Sequence, residues 1–188
     1  MSIPLVTTSL LFFIFFTSVT TAKTHSLMQS IPPSSLGFHQ PQKLSHLHFF
    51  FHDDLGSRNP TAVRVAAAPT TNKSSTMFGA VVVMDDLLTE LPNADSTLVG
   101  RAQGIYASAS TTELEFLLAM NLAFTQGKYN GSSLTVLGRN PVKSAVREMP
   151  VVGGSGLFRF ARGYAQAKTH SMSTSGVVVE YDVYVLHY

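Results

Sequence analysis

Apolar and polar residues alternate with period two over much of the chain, which is the pattern of half-buried β-strands. In residues 45–53 (SHLHFFFHD), Leu47, Phe49, Phe51 and Asp53 share one face, and His46, His48, Phe50 and His52 share the other. After a loop over Asp54–Pro60, a second strand is expected at Thr61–Ala67. Phe78–Met84 (FGAVVVM) reads as a third strand, too apolar on both faces for a sheet with a wet side. A loop at Leu91–Ser96 precedes a fourth strand, Leu98–Ala107, where Val99, Arg101, Gln103 and Ile105 oppose Gly100, Ala102, Gly104 and Tyr106. Glycines repeated on one face point to close packing or sharp coiling, as at a barrel corner. Glu113–Phe124 is rich in helix formers. Yet Phe116, Leu118, Met120, Leu122 and Phe124 alternate with smaller residues, and the turn sequence Gly127–Gly131 follows. The segment is therefore read as one arm of a hairpin, with Ser132–Leu137 as the other.

The last two strands are expected at Leu157–Lys168 and Val177–Tyr188, and Gly153–Gly156 (GGSG) is read as a tight β-turn. Some eight strands with little helix predict an all-β antiparallel barrel or sandwich. A small barrel has room inside for side chains or for one small ligand. Within Leu137–Ala167, Arg139, Arg147 and Glu148 interleave with apolar and glycine residues. Charges at strand spacing give the concave side of such a structure a partly polar character.

The N-terminal pattern differs. Met1–Ala22 contains the apolar run Leu10–Phe16 followed by small residues, with Thr20 and Ala22 placed for cleavage after Ala22, so it reads as a secretory signal. Residues 23–43, rich in Ser, Pro, His and Gln without periodicity, read as a flexible leader, leaving 44–188 as the folded domain. Two N-x-S/T acceptors, at Asn72 and Asn130, sit beside turn residues and agree with export. From residue 23 onward no stretch reaches the roughly 18 consecutive apolar residues of a membrane span.

Composition narrows the chemistry. With 45% hydrophobic and 13% charged residues among 188, the chain can build one sizeable core. A formal charge of +2 gives little reason to expect a nucleic-acid partner. Cysteine is absent, which excludes thiol catalysis, thiolate metal sites and disulfides. His46, His48 and His52 share a strand face, but one strand gives no convergence and no acid is suitably spaced, so no metal is expected. The GGSG segment lacks the Gly-Lys-Ser/Thr ending of a phosphate loop, and the serines near Tyr106 lack the helix of a nucleophile elbow. Asp53 is the sharper candidate. A carboxyl among Leu47, Phe49 and Phe51 has its charged form disfavoured and can serve as acid or base; the alternative is a loop-capping role beside Asp54 and Gly56. Arg147 either pairs with Glu148 or another acid, or binds a phenol or methoxyl oxygen.

At these residues the sequence resembles the plant dirigent proteins. The matching stretches are FFFHDD (Phe49–Asp54), VGRAQGIYASAS (Val99–Ser110), NGSSLTVLGRNP (Asn130–Pro141), VREMPVVGGSGLFRFARGYAQA (Val146–Ala167) and VVEYDVYVLHY (Val178–Tyr188). The resemblance implies an eight-stranded antiparallel barrel of the allene oxide cyclase type, a homotrimer, secretion to the apoplast and no cofactor. In lignan formation such proteins have no oxidising centre. A separate oxidase (laccase or peroxidase) makes phenoxy radicals from coniferyl alcohol, and the protein directs how they couple. Related pterocarpan synthases remove water from an isoflavanol and close a ring, through a quinone methide. Matched residue by residue, Asp53, Tyr106 and Arg147 are the catalytic candidates, with Asn140 and Arg139 as substrate-binding candidates. Asn140 stands where lignan-forming members carry an aspartate, and Ser108 where they carry a second tyrosine. The Arg139-Asn140 pair is closer to the pterocarpan-forming pattern. The leading expectation is stereoselective coupling of a phenol. Its alternatives are a pterocarpan-synthase-like dehydratase and a non-catalytic barrel that binds cell wall.

Overall fold

The structure, a computed structural model, describes residues 28–188. The predicted signal segment and the start of the leader lie outside the described residues. Within the rest of the leader, Pro33–Leu36 forms a turn of 3₁₀ helix, and Phe38 packs on the rings of Phe160 and Tyr188 at 4.7 Å each.

Nine strands follow: β1 Lys43–Asp54, β2 Ala62–Ala66, β3 Val81–Thr89, β4 Leu98–Ser108, β5 Glu115–Phe124, β6 Ser133–Pro141, β7 Arg147–Ser155, β8 Arg162–Met172 and β9 Gly176–His187. Each pairs antiparallel with its neighbour in the order β1-β9-β8-β7-β6-β5-β4-β3-β2. β1 also pairs with β3 through Phe50↔Thr89, Phe51↔Leu88 and His52↔Leu87, which closes eight strands into a barrel and leaves β2 as an extra edge on β3. Closure removes the free edges that an open sheet exposes.

The expected eight-stranded antiparallel barrel is therefore the observed architecture, but its membership differs. The predicted strand over Thr61–Ala67 lies outside the ring, while β7, which periodicity did not mark, lies within it. Gly153–Ser155 continue β7 rather than forming a tight turn, and the chain turns one step later in the 3₁₀ segment Gly156–Phe158, where Gly156 has φ +62°. β8 accordingly starts at Arg162, not at Leu157. Pro150 explains part of the weak signal. It has no N–H to give the ladder, and β7 pairs with β6 only over Val151–Ser155. From Pro150 back to Arg147 it pairs with β8 alone.

Inward residues divide the barrel into a filled half and a hollow half. In the filled half Phe49, Phe124, Phe158 and Tyr129 pack ring against ring over Leu134, Val136, Val183 and Val185. Burial of these large apolar side chains is worth about 1.5–3 kcal/mol each. The glycines of β4 keep the wall thin: a Cβ at Gly104 would fall 2.1 Å from the Ala119 carbonyl oxygen on β5, and one at Gly100 2.3 Å from that of Ala123. Beyond this layer β6 and β7 part, and the interior opens.

Candidate functional site

The hollow half is a cavity of about 330 Å³, lined chiefly by Phe51, Leu118, Val179 and other apolar side chains. The parity of each strand decides which polar groups enter it. Asp53 follows Phe49 and Phe51 on the inner face of β1. Tyr106 follows Ala102 and Gly104 on β4. Asn140 lies at the far end of β6, and Arg147 opens β7. Tyr181 of β9 and Thr169 of β8 complete the polar lining, with Lys143 at the β6–β7 loop.

The Tyr106 hydroxyl donates to Asp53 Oδ2 at 3.1 Å. Burial raises the Asp53 pKa above the ordinary carboxylate range; the Tyr106 hydrogen bond opposes that rise and the neighbouring Asp54 charge adds to it. The Tyr106 and Tyr181 phenols are pushed up in turn, mainly by burial; the Arg147 charge opposes the rise at Tyr181, the Asp53 charge adds to it at both, and both remain protonated. Arg147 is only 4% exposed. Its Nη1 donates to Thr169 Oγ1 at 2.9 Å and to the Val142 carbonyl at 3.4 Å, and burial lowers its pKa. Among the described residues no carboxylate forms an ion pair with it. Glu148, one residue along the strand, points outward and is exposed.

Two of the lining groups have hydrogen-bonding capacity to spare. Arg147 Nε and Asn140 Oδ1 are buried without a partner. An unpaired buried polar atom costs roughly 1–3 kcal/mol. Both residues line the cavity, so a guest that enters it comes beside groups the protein leaves unpaired.

Arg139 is elsewhere. Its side chain lies on the outer surface of β6 and forks onto Glu115, with Nε donating to Oε2 at 2.7 Å and Nη2 to Oε1, while Glu113 Oε2 lies 3.8 Å away. Adjacent residues of a strand face opposite sides, so Arg139 and Asn140 cannot both line the interior. Ser108 lies behind Tyr106 and donates to the Thr76 carbonyl. Asn72 and Asn130 are both exposed at turns. His46 and His48 also face outward, where the β1–β9 register brings an acid to them: Asp182 Oδ1 is 2.7 Å from His46 Nε2 and 3.0 Å from His48 Nδ1. Together His48, Glu180 and Asp182 bring ligand-type atoms within 4.8 Å of one another, a convergence that spacing within β1 alone did not reveal. His52 is buried against Thr89 Oγ1 at 2.7 Å. Of the lining residues, Thr169 and Lys143 carried no sequence signal. Thr169 precedes a register shift in β8, between Thr169 and Ser171, that breaks the period-two pattern.

Residues 44–186 match the family model described as dirigent-like protein. This chain belongs to the dirigent family. Dirigent protein 21 of Arabidopsis thaliana is 55% identical over 151 residues, covering 79% of this chain and 80% of that one. Pterocarpan synthase 1 of Glycyrrhiza echinata is 51% identical over 168 residues, covering 88% and 89%. A solved structure of a pterocarpan synthase dirigent protein superposes with a TM-score of 0.79 at 50% identity, over 86% of this chain and 99% of that one. The barrel fold is thus shared with the solved pterocarpan synthase dirigent protein, and the sequence likeness extends to proteins of both names.

Proposed function

We propose that this dirigent protein binds one small phenol in its cavity and sets the stereochemical course of bond formation at a quinone-methide stage. Asp53 acts as acid and base, Tyr106 orients it, and Arg147 and Asn140 hold the guest's oxygens. The observation that carries this reading is the Asp53–Tyr106 pair, a carboxyl of raised pKa and a phenol donor on the wall of an apolar hollow. A cavity of about 330 Å³ is at the small end for ligand sites, which fits one guest better than two.

Ring closure within that guest is the reading the geometry favours. Asp53 in its acid form gives a proton to the departing hydroxyl, and one C–O bond breaks as water leaves. A phenol oxygen of the guest loses its proton to solvent, making the neutral methide. A second hydroxyl then adds to the methide carbon, forming one C–O bond; its proton goes to the Asp53 carboxylate, and the methide oxygen takes a proton back from solvent. No electrons are exchanged, so this route needs no oxidant. The identity with pterocarpan synthases supports it.

The second reading is guidance of phenoxy-radical coupling, with one radical held in the cavity and an outside oxidase supplying it. Membership of the dirigent family supports it. Chiral product analysis separates the two. Enantiospecific ring closure of an isoflavanol without oxidant establishes the first. Enantiomeric excess from coniferyl alcohol only with an added one-electron oxidant establishes the second. Racemic or absent product in both arms, unchanged by Asp53→Asn, would leave a wall-binding barrel.

Assembly and export belong to the same proposal. Val63, Val83, Ile105 and Leu137 are exposed, and with Ala119 they form a register-aligned row across the outer sheet, which suits a homotrimer. Sedimentation of the mature protein and its N-terminal sequencing test the trimer and the signal cleavage.

A further inference from the structure

The site as described leaves one buried acid unused. Asp86 lies on the inner face of β3 with no solvent exposure. It falls where the barrel's closing seam comes apart. The β1–β3 ladder ends at His52↔Leu87. One step further in the same register, Asp53 stands opposite Asp86, both on inward-facing positions of their strands. The strands do not pair there because Thr61 is wedged between them. Its N–H donates to the Asp54 carbonyl at 3.0 Å, and its carbonyl accepts from the Asp85 N–H at 2.9 Å. The Thr61 hydroxyl donates to Asp86 Oδ1, while Asp86 Oδ2 has no partner.

This arrangement is costly for a clip alone. An asparagine would accept the Thr61 bond as well, and would spare the protein a dry carboxyl. What a carboxyl adds is a proton that can be held or released. The groups bearing on it are few. Asp53 faces it from β1, with Asp54 beyond. Tyr106 of β4 and Tyr181 of β9 lie close enough to feel its charge. Asp85 and Arg101 pair on the outer face at 2.6 Å, so that cation is largely spent. Arg147 is held by Thr169 and Val142 on the β7 side. The Arg101 charge opposes the rise at Asp86 only weakly, and like charges at such a site do not both ionise readily.

We propose that Asp86 is a positioning residue: it faces Asp53 across the open end of the seam, so that the two carboxyls titrate as a coupled pair and Asp86 sets the protonation state Asp53 presents to the cavity. Asp86 touches no guest. Burial lifts its pKa to about 7, the Asp53 charge contributing to that rise and the Thr61 hydrogen bond opposing it. For the catalytic role of Asp53 this inference rests on the proposed function, but the coupling itself does not.

The test is a carboxyl-carbon NMR titration of full-length mature protein made with ¹³C-labelled aspartate, with no substrate present. The wild type should show Asp53 and Asp86 titrating together in two steps, the upper near pH 7. Asp86→Asn should abolish the upper step and leave Asp53 with a single one. Asp53→Asn should move the Asp86 step down by removing the repulsion. Thr61→Val, which removes only a hydroxyl at a half-buried loop position, should move the upper step up and serves where Asp86→Asn folds poorly. Independent single-step curves, or Asp86 titrating in the ordinary carboxylate range, would overturn the proposal. A protein that shows the two-step titration but converts no phenol would refute the functional reading and not this one. With turnover in hand, the alkaline limb of the kcat profile should shift with Thr61→Val in the same direction as the NMR step, with KM unchanged.

Discussion

The barrel carries two polar clusters built from similar parts, one inside and one outside. Outside, His46, His48, Glu180 and Asp182 meet across β1 and β9 and satisfy one another in water. Arg139 of β6 does the same with Glu115 of β5 and with Glu113 just before that strand. Inside, Asp53, Tyr106, Asn140 and Arg147 share a hollow and leave two buried atoms unpaired. The two arginines make the contrast plain. Arg139 has two acids and open solvent. Arg147, eight positions on, has a hydroxyl, a carbonyl and no counter-charge. A polar cluster that closes on itself contributes to a surface; one that stays open at a cost to stability is shaped for something that arrives later.

The strongest way to break that distinction is Asp53→Asn. If the inner cluster is the working one, turnover should fall by about 10²–10⁴-fold, the usual contribution of a positioned acid or base. Circular dichroism should be unchanged. Chiral chromatography of product against time measures it, and retention of full activity would move the chemistry away from Asp53.

Next in size is the pH dependence of stability at Asp86. The folded protein holds this proton to about pH 7, while the unfolded chain releases it near pH 4. Unfolding therefore becomes progressively easier as pH rises between those values, and the penalty is complete above about 7. Asn has no proton to lose. Asp86→Asn should gain on the wild type across that window, by on the order of 4 kcal/mol at full ionisation, from about 1.4 kcal/mol per pH unit. Urea unfolding at pH 4, 5.5 and 8 reads it out, and a difference that stays flat with pH would show that the carboxyl is not buried as described.

Much of this interior was legible in the sequence, for a definite reason. Period-two alternation fixes which residues of a strand face inward, so Phe116, Leu118, Met120, Leu122 and Phe124 declared the inner face of β5 before its partners were known. The same parity placed Asp53 with Phe49 and Phe51. What stayed hidden was where the pattern broke. Pro150 and the glycines after it masked β7. The register shift after Thr169 concealed its approach to Arg147. Asp86 was missed because Asp85-Asp86 after a run of valines reads as a strand's end, whereas β3 continues through it to Thr89. Arg139 failed for the opposite reason: it came by family motif, and the parity that puts Asn140 inside puts Arg139 outside.

Arg147→Met keeps most of the volume and deletes the charge. The buried cation lacks an acid partner, so folding should hold or improve, by up to about 1–2 kcal/mol. Binding should weaken by roughly 10–100-fold, the worth of one or two charge-assisted hydrogen bonds. Calorimetric titration with the substrate phenol tests this, and undiminished affinity would mean that the spare Nε serves the fold.

The smallest effects should come from the outer cluster, and they sharpen the comparison because the chemistry removed is nominally the same. Burial alone would raise the Asp182 pKa, but hydrogen bonds from His48 and His46 outweigh it and hold the carboxyl below its ordinary range. A depressed carboxyl stabilises the fold above its unfolded pKa near 4 and loses that contribution as pH falls through the folded value. Asp182→Asn should therefore cost about 1 kcal/mol or less at pH 7, as exposed pairs do, and nothing once both states are protonated at low pH. Arg139→Ala should cost as little. Neither should change product ratio or handedness, since neither side chain reaches the cavity. A change in enantiomeric excess from either variant would mean that the outer surface takes part in steering, and that the division between self-satisfied and open clusters does not separate scaffold from site in this barrel.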